Sequence, residues 1–502
     1  MPKGPEAYRR LKHLYPVYDH KLGDKWEDVR PKVRDLLDKQ QVRFSTIDLV
    51  RFRTVPIPNQ QMPAVISPVV IWVGVLPDSL AGEDAFNSAN AILALLEDED
   101  ITAVDIEFRE SVFKRSASAE LYEPASDLDA TRHVIDPLTT ALGLPMAAAK
   151  TPHLQGTMGF YFNDGDDLYG VTARHVLFPA DEDNSDYTYN PSGPRKKVLL
   201  MGTKAWEDYL KSVQIQIGNL STATEIRRES IGRLEGRAEG DTPAAKKAKK
   251  ELEKTRELLE ETTDAINELQ KLYEKTKKDF GKPSQRVVGH VVWSPAITIG
   301  TAPHGFTKDV CVIKLDKARF LHNFKGNVID LGTEIEAAKF VNKMYPRTDA
   351  QSGFEYPAER LLELRGILAE DRMRHPDTKD HDSENCLYVI KRGLTTLTTI
   401  GRATGFFSCA REYFANQTHR DSIEWAILPY DSGVFSRSGD SGSMIAFGTG
   451  EFGGLLTGGS GKMESSDITY ATPMFWLWLI IKAKFLNANL YPVFNYTARQ
   501  ED

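Results

Sequence analysis

From Ala248 to Phe280 the chain places a small or apolar residue at alternating spacings of four and three. The positions are Ala248, Leu252, Thr255, Leu259, Thr262, Ile266, Leu269, Tyr273, Thr276 and Phe280, with Lys and Glu between them. Such a period fits one local structure, an α-helix with a narrow apolar seam. A seam of this length calls for a second helix. Val213, Ile217, Leu220, Thr224, Ile231 and Leu234 offer one on the preceding segment, broken at Arg227. Gly236, Gly240, Asp241 and Pro243 separate the two stripes, and Pro243 suits the first turn of a helix. The pattern predicts an antiparallel helical hairpin over about 204–283. The hairpin has two readings, a self-contained closure of a long loop or an arm that binds a protein partner.

The chain on either side reads differently. Residues 1–140 predict a small α/β domain, with a buried strand at Val69–Leu76 and a helix at Ala85–Glu97 carrying Phe86, Ala89, Ile92, Leu93 and Leu96 on one face. Ala103–Arg109 alternates as a second strand, and a strand–helix–strand unit of this size pairs its strands in parallel. Glu107, Arg109 and Glu110 then form a charged edge-strand face. Residues 141–490 are mainly β: short apolar runs at Met158–Phe162, Leu168–Leu177, Val287–Ile299, Leu387–Ile390, Leu394–Ile400, Trp425–Pro429, Glu451–Thr457 and Ile468–Ala471 alternate with turns. A second insertion falls at about 345–383, where Ala358–Met373 has helical character, and Pro473 starts a terminal helix. The expectation is two antiparallel β-barrels carrying the helical hairpin, with a site between them.

Three segments in these runs carry chemistry. Gly439-Asp440-Ser441-Gly442-Ser443 puts a serine on a tight glycine turn before an apolar strand. A serine hydroxyl becomes a nucleophile only when a base removes its proton and dipoles receive the oxyanion. The N–H groups of Gly439 and Ser441 can point the same way in such a turn. Val171-Thr172-Ala173-Arg174-His175 ends one strand-like run on a histidine, and Asp309-Val310-Cys311-Val312-Ile313 begins another with an aspartate. An imidazole that takes the serine proton, and a carboxylate that fixes the imidazole tautomer, would complete the set. Asp316 and Asp330 compete with Asp309 for the carboxylate role.

In the order His, Asp, Ser these motifs resemble the trypsin/chymotrypsin-like serine peptidases, over roughly residues 145–485. The resemblance implies a chymotrypsin-like pair of barrels with a C-terminal helix. It implies His175, Asp309 and Ser441 as catalytic residues, and an oxyanion hole formed by the N–H groups of Gly439 and Ser441. Asp440 would make a buried ion pair that organises that hole. Phe435, six before the nucleophile, would lie on the floor of the primary pocket, and Thr457, Gly458 and Gly459 would pair with substrate backbone. Ile468 would narrow the pocket. No carboxylate stands on the floor, which argues against a preference for Arg or Lys. In the family a new N-terminus created by cleavage pairs with the aspartate matching Asp440. No obvious processing site heads the barrel here, so cleavage, another internal group or a partner would have to supply that pairing.

Composition narrows the setting. A net charge of −8 and a pI of about 5.9 argue against a nucleic-acid or membrane-surface partner. Cys311, Cys386 and Cys409 cannot build a disulfide framework, Met1–Glu6 has no signal-like apolar run, and Met474–Ile481 is too short to span a bilayer. The expected location is therefore cytoplasmic. No cofactor or metal is expected: HExxH and CxxC pairs are absent, and His375, Asp377, Asp380, His381 and Asp382 lack regular spacing. Gly458-Gly459-Ser460-Gly461-Lys462-Met463 lacks the first glycine and the hydroxyl of a phosphate loop. Ser443 occupies the last position of an esterase elbow, where glycine is required. The function expected is a serine endopeptidase acting on a peptide or protein. The competing reading is a catalytically silent scaffold using the hairpin and N-terminal domain for protein interactions.

Overall fold

A computed structural model describes residues 12–15, 17, 20–54, 66–110, 119–126, 129–179, 182–345, 353–380, 384–413, 419–430, 433–460 and 468–492. Met1–Glu6, His381–Asp382 and Gly461–Met463 lie outside the described residues. The chain divides into two units, Met1–Ser116 and Ala117–Asp502.

The first unit orders its strands as β1 (Lys12–Tyr15), β2 (Phe44–Thr54), β3 (Val69–Val75) and β4 (Val104–Glu110). β3 and β4 run parallel, Val69 opposite Val104, with α2 (Gly82–Asp98) as the crossover. The other pairs are antiparallel. Val69, Ile71 and Val73 share a core with Ile92 and Leu96 of α2 and Val29, Val33 and Leu37 of α1 (Lys21–Lys39). Helix α1 is an addition to the expected elements, since its apolar face is interspersed with charges and interrupted by Pro31.

The expected boundary at residue 140 is corrected to Ser116/Ala117. Leu121, Val134 and Leu138 are buried in the core of the larger unit. The Leu121 N–H donates to the Arg319 carbonyl at 2.8 Å, so this segment is pinned by both apolar burial and backbone bonds.

In the larger unit β5 (Pro145–Ala148), β6 (Gln155–Thr157), β7 (Phe160–Asp164) and β8 (Asp167–Thr172) come first, followed by the helical turn α3 (Arg174–Leu177). β9 (Tyr187–Thr188), β10 (Lys197–Leu200), β11 (Val287–Ser294) and β14 (Cys311–Leu315) complete the set, while β12 (Thr298–Thr301) and β13 (Phe306–Lys308) join the sheet of the second barrel. The ladder runs β7-β8-β14-β11-β10-β5-β6. β6 and β7 are successive parts of one extended segment. Its start pairs with β5 (Gly156 opposite Met146) and its end with β8 (Tyr161 opposite Gly170), which closes the first barrel.

Between β10 and β11 rise α4 (Thr203–Arg237) and α5 (Pro243–Phe280), matching the hairpin read at 204–283. Thr242 caps α5 by accepting the Ala245 N–H at 3.2 Å, and Pro243 fills the first position, where no N–H is needed. Leu234, Ala238, Ala248 and Leu252 form a small cluster of their own. Trp206, Tyr209, Val213, Leu269, Leu272 and Phe280 instead join the core of the barrel.

α6 (Lys317–Phe320), β15 (Val328–Asp330), α7 (Ala337–Met344), β16 (Leu361–Glu363) and α8 (Glu370–Arg374) connect the barrels. The helix expected over Ala358–Met373 is corrected: Leu361–Glu363 pairs antiparallel with β15, and only Glu370–Arg374 is helical. Gly366, at φ +73°, breaks any continuous helix there.

The second barrel comprises β17 (Leu387–Gly393), β18 (Leu397–Ala403), β20 (His419–Pro429), β21 (Met444–Phe447), β22 (Phe452–Ser460) and β23 (Ile468–Pro473). It closes as β20-β18-β17-β21-β22-β23 and back to β20, with β19 (Ser408–Tyr413) on its flank. α9 (Met474–Lys484) follows Pro473, and β24 (Ala488–Asn489) returns to pair with β7 of the first barrel. Among the described residues no helix is long and apolar enough to cross a membrane.

Candidate active site

The β8–β14 register brings His175 and Asp309 together. Thr172 stands opposite Cys311, so the residues just past one antiparallel strand and just before the other must meet. His175 sits in α3 rather than at a strand end, and this turn aims its ring back at the carboxylate. His175 Nδ1 is 2.6 Å from Asp309 Oδ2, and the His175 backbone N–H donates to Asp309 Oδ1 at 3.2 Å. Asp309 is buried while the imidazole is partly open to solvent. Burial lowers the histidine's proton affinity, but the charge and hydrogen bond of Asp309 outweigh it, and the net effect lifts His175 above its ordinary value of 6.5. Asp316 caps α6 through the Ala318 N–H, and Asp330 pairs with Arg360, so neither competitor reaches the imidazole.

Arg174 fixes the turn. It is buried, and its guanidinium donates to the carbonyls of Ser294 at 2.8 Å and Ser185 at 2.8 Å while stacking over Phe178. A planar fork bonded to neutral carbonyls carries its charge without a carboxylate partner.

The serine loop is pinned against the same corner. Gly442 has φ +88°, and a Cβ there would lie 2.1 Å from Thr172 Oγ1 and 2.3 Å from the Thr157 carbonyl, so only glycine lets the loop approach the end of β8. The Thr157 N–H donates to the Ser441 carbonyl at 2.8 Å and the Thr157 hydroxyl to the Gly439 carbonyl at 2.9 Å. The Gly442 N–H donates to the Leu456 carbonyl, tying the loop to β22. Ser441 is half-buried. Among the described residues its hydroxyl bonds to no protein group, His175 included, and the N–H groups of Gly439 and Ser441 meet no protein acceptor. The loop therefore offers two free donors beside a free hydroxyl.

Asp440 points the other way and is fully buried with Lys391 of β17, Oδ2 to Nζ 3.5 Å. Phe435 is also fully buried, packed with Trp425, Ile427 and Ile445 inside the second barrel, and its carbonyl accepts the Thr399 hydroxyl at 2.8 Å. Thr457, Gly458 and Gly459 lie on β22, where Gly458 pairs with Tyr470 and Gly459 with Thr469. The β21 pairing stops at Leu455, and a Cβ on Gly458 would meet open space. Ile468 begins β23 opposite Ser460. Among the described residues no group of three or more His, Cys, Asp or Glu could hold a metal ion.

Sequence reasoning missed Thr157, Arg174 and Lys391. Only Lys391 left a trace: Lys391-Arg392 ends an otherwise apolar strand, an odd place for two cations.

No family model matches the chain, and no curated protein matches it. Solved structures do. A glutamic-acid-specific serine protease is 10% identical, with 68% of this chain and 97% of that one covered and a TM-score of 0.27. Thermobifida fusca protease A is 11% identical over 68% and 95%, with a TM-score of 0.29. An α-lytic protease homologue is 14% identical over 70% and 100%, also with a TM-score of 0.29. The strand pairings and ring closures give the larger unit two antiparallel β-barrels with an inserted helical hairpin.

Proposed function

We propose that the protein is a serine endopeptidase that cleaves peptide bonds through an acyl-enzyme. The observation carrying this reading is the Nδ1–Oδ2 contact of 2.6 Å between His175 and Asp309, beside a serine loop with two unengaged N–H groups. His175 would take the Ser441 proton as the hydroxyl attacks the peptide carbonyl. Asp309 would hold the tautomer that leaves Nε2 free and stabilise the cation that forms. The N–H groups of Gly439 and Ser441 would receive the oxyanion. His175 would then hand its proton to the leaving amine, and water would repeat the steps to release the acid. The open edge of β22 at Thr457–Gly459 suits backbone pairing with an extended peptide.

The Phe435 side chain is sealed in the core of the second barrel and does not itself line an open pocket, so a primary pocket for small or apolar side chains is proposed on the sequence resemblance alone. Three free cysteines fit a reducing, intracellular setting, and the α4–α5 hairpin is the part of the larger unit suited to a protein partner. The test is hydrolysis of a fluorogenic peptide library by the wild type and Ser441→Ala. Loss of a triad residue costs about four to six orders of magnitude in comparable enzymes. Equal activity in the two proteins would refute the assignment. The missing hydrogen bond between Ser441 and His175 favours a second reading, a silent scaffold. A fluorophosphonate probe that never reaches Ser441 would support it.

A further inference from the structure

Asp440 lies between the two residues whose N–H groups would receive the proposed oxyanion, and its own side chain is enclosed. Oδ1 accepts the N–H groups of Thr395 at 2.8 Å and Thr396 at 3.2 Å. Oδ2 accepts the Arg437 N–H at 2.9 Å and the Thr396 hydroxyl at 2.6 Å. Lys391 approaches the same oxygen at 3.5 Å, donates to Thr396 Oγ1, and donates to the Leu397 carbonyl at 3.1 Å. The Thr396 hydroxyl has one proton, so it accepts from the ammonium and donates to the carboxylate, linking the two charges in one chain of bonds. Gly393 makes the enclosure possible, because a Cβ there would lie 2.5 Å from Asp440 Oδ1.

We infer that Lys391 is a positioning residue that holds the Gly439–Ser441 turn in its anion-receiving shape in the uncut chain, so that the site needs no newly cleaved N-terminus. This rests on the peptidase reading. Without Lys391 the buried carboxylate keeps its hydrogen bonds but loses its counter-charge and the ammonium that anchors the Thr396 hydroxyl, which favours a swing of the side chain toward water. That swing would turn the peptide planes on both sides of Asp440 and carry the two N–H groups out of register. The cation supplied here belongs to β17, a central strand of the same barrel, and is present whatever happens elsewhere in the chain.

The charged groups facing Lys391 are Asp440 from the serine loop and, at longer range, Glu334 before α7. The neighbouring Arg392 is engaged with Asp136, Glu334 and Thr398. Burial lowers the proton affinity of Lys391 to about 8 despite both carboxylates, so its charge is open to titration where an arginine's would not be.

The test uses the full chain, its mass checked before and after reaction with a fluorophosphonate probe. The uncut wild type is expected to label at Ser441. Lys391→Met is expected to label about a hundredfold more slowly at pH 7, with kcat reduced and KM little changed. Lys391→Arg should recover to within about tenfold of wild type and lack the decline expected of wild type above about pH 8. If Lys391→Met does not fold, the neutral pair Lys391→Met/Asp440→Asn is expected to fold and still label slowly. Labelling of a folded Lys391→Met protein or of the double variant at the wild-type rate would overturn the inference. Labelling of the wild type only after limited proteolysis would also overturn it, while leaving the peptidase reading intact. If no form labels at Ser441 before or after proteolysis, the peptidase reading falls and takes this inference with it.

Discussion

Asp309 grips His175 twice, accepting its backbone N–H at 3.2 Å on one oxygen and facing Nδ1 at 2.6 Å with the other. The first contact sets the turn and the second sets the ring. Asp309→Asn keeps the shape but turns one acceptor into a donor, which favours the wrong tautomer of His175. The expected result is a fall in kcat of about ten-thousand-fold with little change in melting temperature. Peptide hydrolysis and thermal denaturation measured side by side check it.

The same contact fixes the direction of a pH effect. In the proposed reaction His175 has to be neutral to accept the Ser441 proton, and its folded value lies above 6.5. The acid limb of kcat/KM is therefore expected above pH 6.5. The substitution Asp309→Ala should move that limb downward, since burial then acts alone. The raised affinity also contributes stability that is fully present below pH 6.5 and is lost as pH rises through the folded value. A pH–rate profile paired with a pH series of unfolding free energies tests both statements.

Two glycines with positive φ separate strain from crowding. Gly165, at φ +58°, has open space where a Cβ would sit, so Gly165→Ala is expected to cost about 1–2 kcal/mol of strain alone. Gly442→Ala adds collisions with Thr172 Oγ1 and the Thr157 carbonyl, and should cost more than about 3 kcal/mol. Denaturant titration gives the ranking, and equal costs would contradict the pinned loop.

The hairpin should soften from its tip. Leu269 is fully buried at the base, among barrel residues, and Leu269→Ala is expected to cost about 2–5 kcal/mol of global stability. Leu252→Ala, in the separate distal cluster, should cost less globally while increasing amide exchange near residues 234–252. Hydrogen exchange on both variants distinguishes the two sites.

The parts of this structure that the residues announced are those with local periodicity or tight motifs. The seam from Ala248 to Phe280 could only be helical, and Pro243 marked where that helix starts. The run at Val69–Leu76 is continuously apolar, as a buried strand is, and Ala103–Arg109 alternates as an edge strand does. The pairing of His175 with Asp309 was legible as a motif, but its geometry depends on the β8–β14 register, which joins positions far apart in sequence. The strand at Leu361–Glu363 was hidden because three residues show no period, and their partner is β15. Lys391 was hidden for a related reason. Its meaning depends on a carboxylate that reaches it only after the second barrel closes.

The two ends of the α4–α5 excursion leave and re-enter the ladder on adjacent strands, β10 and β11, with Lys197 opposite His290. In topological terms the whole arm is an enlarged hairpin turn. The barrel's wiring is thus indifferent to its length, and the arm is a natural graft point. A foreign helical pair, a reporter domain or new chain termini can be spliced in above the first turns. The join must respect one limit: Trp206, Tyr209, Val213, Leu269, Leu272 and Phe280 belong to the barrel core, so the splice has to be made beyond Val213 and before Leu269.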